Sequence, residues 1–362
     1  MRKAALILGL ATLAPLPAHA DIFIGVAGPM TGQNAVFGAQ MKAGVAAAIE
    51  TANAAGGING ERLVMVEGDD ACDTRRALGV AADLLRQDVR VVIGHFCSGA
   101  TIAVAKTYEQ AGVLLISPSS TAPAVTDGGG WNVLRVASRD DAQADLAAKR
   151  MAADNANAKI AIIHDSQFLG RGLAERLKRL SPSADEIVIK AGAIDLAAVL
   201  KQIKNDGITS IYFTTAATDA GGIAAAINRA GLAVRYYGPD TLLSDVYWER
   251  AKAGGENTLV TFATDPATLA RPDRLQDVFL SKAIAVDGAT LTTFAAVESF
   301  VAAARNRDIS NGRAMADWLK AGNAVDSIIG TIRFDAKGDV SPQRFMWYRW
   351  SDGQYQLDPQ QN

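Results

Sequence analysis

Leu63-Val64-Met65-Val66-Glu67, residues 74–87 and Val91-Val92-Ile93 read in order as strand, helix and strand. The two outer runs are short, apolar and rich in β-branched side chains, and the stretch between them has helical period, so the unit calls for a parallel sheet covered by helices. The same alternation extends both ways. Strands are expected at 22–26, 113–116, 133–136, 160–163, 186–189, 208–213, 234–237 and 259–262 as well. Helices are expected between them at 38–54, 101–111, 142–155, 170–180, 196–205 and 219–230. One series of units reaches to about Ser138 and a second begins near Ala142. After Asp265 the pattern turns mostly helical (274–286, 290–306, 312–321), and a late strand pair, 345–350 and 354–357, is turned by Asp352-Gly353. The expected fold class is α/β, with two similar doubly wound parallel-sheet lobes and a return of the chain at the end.

Residues 1–20 read as a removable export signal: basic Arg2 and Lys3, an apolar run over 4–13, and Ala18-His19-Ala20 before Asp21. The apolar run is too short to span a bilayer, and no later segment approaches the roughly 20 apolar residues a membrane helix needs. No cysteine stands at the cleavage point to take a lipid, so a free periplasmic protein is expected. Loss of Arg2 and Lys3 takes Lys+Arg from 36 to 34 against 38 Asp+Glu. That net charge of about −4 gives no reason to expect nucleic acid or an anionic membrane as partner. A chain of 362 residues exceeds what one core usually serves, so two domains are expected. Its two cysteines, Cys72 and Cys97, would enter an oxidising space in which a disulfide persists.

Ligands of open α/β sheets bind beyond the carboxyl ends of the strands. In the first lobe those positions hold Gly28-Pro29-Met30-Thr31-Gly32 leading to Phe37, then Gly94-His95-Phe96-Cys97-Ser98-Gly99, then Ser117-Pro118-Ser119-Ser120-Thr121. In the second they hold His164-Asp165-Ser166-Gln167-Phe168-Leu169-Gly170, Thr214-Thr215-Ala216-Ala217 and Gly238-Pro239-Asp240-Thr241. Hydroxyls and glycines gather on the first lobe and an acid stands on the second, which suits a zwitterion. N–H groups at a helix start, with the Ser98 and Thr121 hydroxyls, suit a carboxylate, and Asp240 suits an ammonium. Ser98 and Thr121 also serve as helix caps in a purely structural reading.

Gly56-Gly57-Ile58-Asn59-Gly60, Asp69-Asp70-Ala71-Cys72-Asp73, Val92-Ile93-Gly94-His95-Phe96-Cys97-Ser98, Ile116-Ser117-Pro118, Ala161-Ile162-Ile163-His164-Asp165 and Tyr237-Gly238-Pro239-Asp240 together resemble the leucine/isoleucine/valine-binding proteins of bacterial ABC importers. The resemblance runs in order over nearly the whole mature chain. It implies a type I periplasmic binding fold with a three-segment hinge, lobe 1 taking 21–139 and 264–333 and lobe 2 taking 140–263 and 334–362. It implies a Cys72–Cys97 disulfide, whose loop of about 25 residues would stabilise by about 3 kcal/mol. The resemblance makes Ser98 and Thr121 carboxylate binders, Ser119 the position whose carbonyl receives the ammonium, Asp240 its acidic partner and Phe37 a pocket wall, with Ser120 in the same loop. Leu169 and Ala216-Ala217 stand where the family has aromatic wall residues, and Asp240 stands where the branched-chain binders have Glu. The ligand class is therefore an α-amino acid, a longer ω-amino acid or an amide.

Other motifs carry less. His164, Asp165 and Ser166 are adjacent and cannot take up nucleophile, base and orienter geometry. Gly170-Arg171-Gly172 lacks the third glycine of a dinucleotide fingerprint, and no phosphate loop occurs. Asp69, Asp70 and Asp73 lack calcium-loop spacing. Trp131, Trp318, Trp347 and Trp350 read as packing residues. No cofactor is implied. The expected function is a periplasmic receptor that delivers a small zwitterion to an inner-membrane ABC permease as a monomer. A sensor of the same fold is the alternative, and an enzyme is disfavoured.

Overall fold

The computed structural model describes residues 21–165 and 168–361, with Phe168 and Leu169 described in their backbone only. The export signal expected at 1–20 lies outside the described residues. Strands β1 (Ile22–Gly28), β2 (Leu63–Asp69), β3 (Val91–Gly94), β4 (Leu114–Ser117) and β5 (Val133–Arg135) form one sheet in the order β2-β1-β3-β4-β5. Every pairing in it is parallel. Helices cover both faces, which is why Ile24, Val26, Val91, Val92 and Ile93 all lose their solvent exposure and the strands read as unbroken apolar runs. The helix Ala35–Ala54 packs beside Thr290–Asn306 on one face, and Thr74–Arg86 beside Ser98–Gln110 on the other.

Strands β6 (Ile160–His164), β7 (Asp185–Val188), β8 (Ser210–Thr214), β9 (Arg235–Gly238) and β10 (Leu259–Ala263) build a second parallel sheet, ordered β7-β6-β8-β9-β10. The chain then returns to the first lobe, where β11 (Val325–Ser327), β12 (Gly330–Phe334) and β13 (Val340–Ser341) form a small antiparallel sheet. Finally β14 (Phe345–Ser351) and β15 (Gln354–Leu357) extend the second sheet antiparallel beyond β10. Their turn has φ of 50° at Asp352 and 82° at Gly353, the two positive values a tight right-twisted hairpin requires. Trp347 and Trp350 are buried in the second lobe, as packing residues should be.

Two expectations need correction. The helix expected over 274–286 runs only over Pro272–Val278, followed by a 3-10 turn at Leu280–Lys282. Phe279 breaks it by burying its ring against Phe294 at 5.3 Å, and Ala283 follows in the left-handed region at φ 54°. The sheet β11-β12-β13 was not expected, because strands of two to five residues show no usable period. Phe334 and Val340 pack in the same core as β1 and β3.

The chain passes from the first sheet to the second between β5 and β6, back between β10 and β11, and across again between β13 and β14. These segments are stitched together. The Arg139 N–H donates to Gln343 Oε1 (2.7 Å), the Arg344 N–H to Ser138 Oγ (2.8 Å), and the Thr264 N–H to the Arg344 carbonyl (3.0 Å).

Candidate functional site

Because β2 and β3 flank β1 on opposite sides, strand order reverses between β1 and β3, and in the second sheet between β6 and β8. Crevices open at the carboxyl ends of those strands, which is where the candidate residues lie. On the first lobe Phe37 stacks on Phe96 with ring centroids 4.7 Å apart and planes 17° from parallel. The Phe96 carbonyl in turn accepts from Ser119 Oγ (2.9 Å) and Ser120 Oγ (3.2 Å). Ser98 is the first residue of Ser98–Gln110, whose opening N–H groups have no acceptor inside the helix. Its Oγ accepts from the Ala122 N–H at 3.3 Å and so joins the two loops.

Ser120 differs from its neighbours. Only 1% exposed, it shares a hydroxyl hydrogen bond with Thr101 Oγ1 (2.8 Å), and the same hydroxyl lies 3.2 Å from the carbonyls of both His95 and Phe96, which anchors the loop from below. Ser117 Oγ and Thr101 Oγ1 also donate to the His95 carbonyl, at 2.8 and 3.1 Å. The His95 ring is buried with Asp70 at 2.5 Å, and Asp70 accepts from the Cys72 N–H at 2.8 Å. Cys72 is bonded to Cys97 across a Cα–Cα distance of 5.4 Å. The disulfide therefore fixes the residue just before Ser98, and the acids of this region serve the same scaffold. Asp69 accepts from the N–H groups of Met30, Thr31 and Ala71, and Asp73 caps the helix Thr74–Arg86.

Thr121 leads to the second lobe. Its carbonyl accepts from the Asp140 N–H at 3.0 Å, and its side chain hydrogen-bonds the Asp140 carboxyl. Asp140 stands close enough to Asp240 to feel its charge. Asp240 opens the 3-10 turn Asp240–Leu242 and is clamped by buried Gln143, whose Oε1 accepts from the Asp240 N–H (3.2 Å) and from Thr261 Oγ1 (2.7 Å). The Gln143 side chain also bonds the Asp240 carboxyl.

Burial raises both carboxyls above their ordinary pKa. For Asp140 the Asp240 charge adds to that effect, and the Thr121 hydrogen bond and the Arg135 charge only partly oppose it. For Asp240 the bonds from Gln143 and the Thr241 N–H work against desolvation without cancelling it. Two acids with raised pKa values thus stand near one another, the charge of Asp240 acting on Asp140. Beyond Asp240, a cavity of about 230 Å³ is lined by Asp165, Gly170, Thr214, Ala216, Pro239 and Thr241. Gly170 has no alternative here, since a Cβ would collide with the Thr214 carbonyl oxygen. The Thr214 hydroxyl is buried with no hydrogen-bond partner among the described residues. Ala216 stands before the helix Ala217–Arg229 and leaves the cavity wall low. Leu169 belongs to Phe168–Leu180, and its side chain lies outside the described residues. His164 bonds Glu186 at 2.7 Å and Asp165 accepts from Thr215 Oγ1 at 3.0 Å.

The periplasmic binding protein family model matches residues 21–354. The chain belongs to that family. This periplasmic binding protein is 34% identical to an amino acid binding protein of Pseudomonas aeruginosa, over 99% of this chain and 98% of the relative. It is also 34% identical to Leu/Ile/Val-binding protein homolog 2 of Brucella abortus, over 92% of each. Its fold is that of an ABC transporter substrate-binding protein from Desulfitobacterium hafniense solved with Leu, at TM-score 0.69 and 23% identity, over 94% of this chain and all of that one. The protein is thus a two-lobed type I binding protein rather than an enzyme. No helix among the described residues is long and apolar enough to cross a membrane.

Two site residues escaped the sequence reading. Asp140 follows the fifth strand, at a carboxyl end of the kind already searched after the other strands. Phe96 lies inside a recognised motif, but its partnership with Phe37 requires knowing that β1 and β3 are neighbours.

Proposed function

We propose that this protein is the receptor of an ABC importer for a small amino-acid-like zwitterion, held with its ammonium at Asp240, Asp140 and the Ser119 carbonyl and its carboxylate at Ser98 and Thr121, with Ser120 in the same loop. The observation that carries this reading is the bond from the Asp140 N–H to the Thr121 carbonyl together with the charge of Asp240 felt at Asp140, which relates both lobes to one pair of half-buried carboxyls. Phe37 on Phe96 walls the first lobe. The names of the Pseudomonas and Brucella relatives support an amino acid as ligand. The low wall at Ala216 and the cavity behind it support a class wider than branched-chain amino acids, with ω-amino acids and amides included. In this reading lobe 1 comprises 21–139 and 264–341, lobe 2 comprises 140–263 and 342–362, and residues 1–20 are an export leader. The receptor is a free periplasmic monomer that presents its closed form to an inner-membrane permease.

Thermal-shift screening against L-amino acids, 4-aminobutyrate and small amides tests the ligand class, because native-state binding raises apparent stability by mass action. No shift from any zwitterion or amide would reject it. A ligand that touches both lobes binds the closed form better and shifts the open–closed equilibrium. Small-angle scattering should show a smaller radius of gyration at saturating ligand, and an unchanged radius counts against closure.

Affinity should also depend on pH. With both folded-state pKa values raised, charging the pair costs folding stability as pH rises from the ordinary carboxyl value through the raised ones. A bound ammonium favours the charged forms, so affinity rises with pH across that same window and is lost on acidification. Calorimetry on the acid side of neutrality should detect proton release on binding, and Asp240→Asn should reduce it.

A further inference from the structure

We infer that Arg135 is a positioning residue, whose forked guanidinium sets the ligand loop around Thr121 and ties that loop to two of the three segments joining the lobes. This rests on the proposed place of Thr121 at the ligand and goes beyond it by naming what holds Thr121 there.

Arg135 ends β5 and has no solvent exposure. One nitrogen, Nη1, donates to the carbonyls of Ser120 (3.2 Å) and Ala122 (2.8 Å), the residues on either side of Thr121. Nη2 donates to Thr126 Oγ1 at 2.7 Å, and Nε donates to Asp339 Oδ1 at 2.5 Å. Asp339 enters the third crossing through β13, and its other oxygen accepts from Arg139 at 2.8 Å. Arg139 lies on the first crossing and also grips Asp127 and Asp141. Desolvation raises the Asp339 carboxyl, but the Arg135 charge and the hydrogen bonds from Thr126, Arg135 and Arg139 outweigh it and hold the group below its ordinary pKa. Burial works against the Arg135 charge, yet a guanidinium keeps its proton in proteins.

Stability alone does not explain this arrangement, because well-packed apolar side chains replace buried ion pairs at little or no cost. Direction does. A planar fork can hold two carbonyls two residues apart while its Nε engages a carboxylate in a third direction, and a lysine, with one compact ammonium, cannot. With carbonyls 120 and 122 drawn toward Arg135, and carbonyl 121 toward the Asp140 N–H, the loop's orientation becomes a function of where the crossings lie.

Two variants separate this role from simple support. Arg135→Met with Asp339→Leu should keep the melting temperature within a few degrees of wild type, since no uncompensated charge remains. Amide exchange over 118–122, followed by mass spectrometry on the unliganded protein, should quicken at least tenfold, with exchange in β6, β8 and β9 unchanged. Arg135→Lys, which keeps the charge against Asp339 but lacks the fork, should loosen the same peptide and serves if the double variant does not fold. Wild-type exchange over 118–122 in a folded variant overturns the inference. Affinity for whichever of L-leucine, L-glutamine and 4-aminobutyrate binds wild type should weaken at least tenfold, and wild-type affinity in both variants would equally overturn it. If none of the three binds wild type, that outcome counts against the proposed ligand class, and the exchange measurement decides the role of Arg135 by itself.

Discussion

Asp240→Ala should weaken binding of the identified ligand by about 2 to 5 kcal/mol, the usual cost of leaving one member of a buried charge pair without its partner. On the affinity scale that is roughly thirty-fold to a few thousand-fold. The loss should fall on the dissociation rate, because Asp240 is half-buried and clamped by Gln143 instead of displayed for steering. Asp140 remains in the variant and keeps part of the attraction, so the double substitution Asp140→Asn with Asp240→Ala should lose more than Asp240→Ala alone. Titration calorimetry checks both. Equal affinities for wild type and Asp240→Ala would remove Asp240 from the site.

Replacing Cys72 and Cys97 together by Ala should lower the stability of the first lobe by about 3 kcal/mol, the chain-entropy value for a loop of this size. Urea denaturation with a first-lobe probe measures it. The bond spans 25 residues and ends one position before Ser98. Its loss should therefore also weaken ligand binding under conditions where the variant is still folded, through freedom gained at the start of Ser98–Gln110. A variant of wild-type stability would show that the thiols contribute no constraint. Two alkylated thiols in unreduced native-source protein would show that the bond does not form there.

Most strands of the two parallel sheets were legible as short apolar runs buried on both faces, the edge strands β2 and β7 being only partly buried, and helical period marks the elements between them. The pairing of Cys72 with Cys97 came from family resemblance and the expected compartment. What stayed hidden depends on neighbours distant in sequence. Arg135 reads as a polar end to a strand until Asp339 arrives beside it from the last third of the chain. Ser120 and Thr121 are adjacent hydroxylic residues, and only the folded loop shows one anchoring to His95 and Phe96 while the other meets Asp140. The strands β12 and β13 are too short to show a period, and the burial of Phe334 and Val340 beside β1 and β3 follows from tertiary packing.

The three crossings also dictate a timetable. The first core draws on Phe334 and Val340, and the second on Trp350, so neither is complete until nearly all of the chain has left the ribosome. Contacts such as Gln40 with Ala289 and Thr126 with Asp339 span 249 and 213 residues, and such closures must be made before their burial rewards them. A chain of two-thirds length has parallel sheets with uncovered faces and lacks Asp339, the carboxylate partner of Arg135, the kind of exposed apolar surface that favours aggregation. Both cores therefore need the last thirty or so residues before they can be complete.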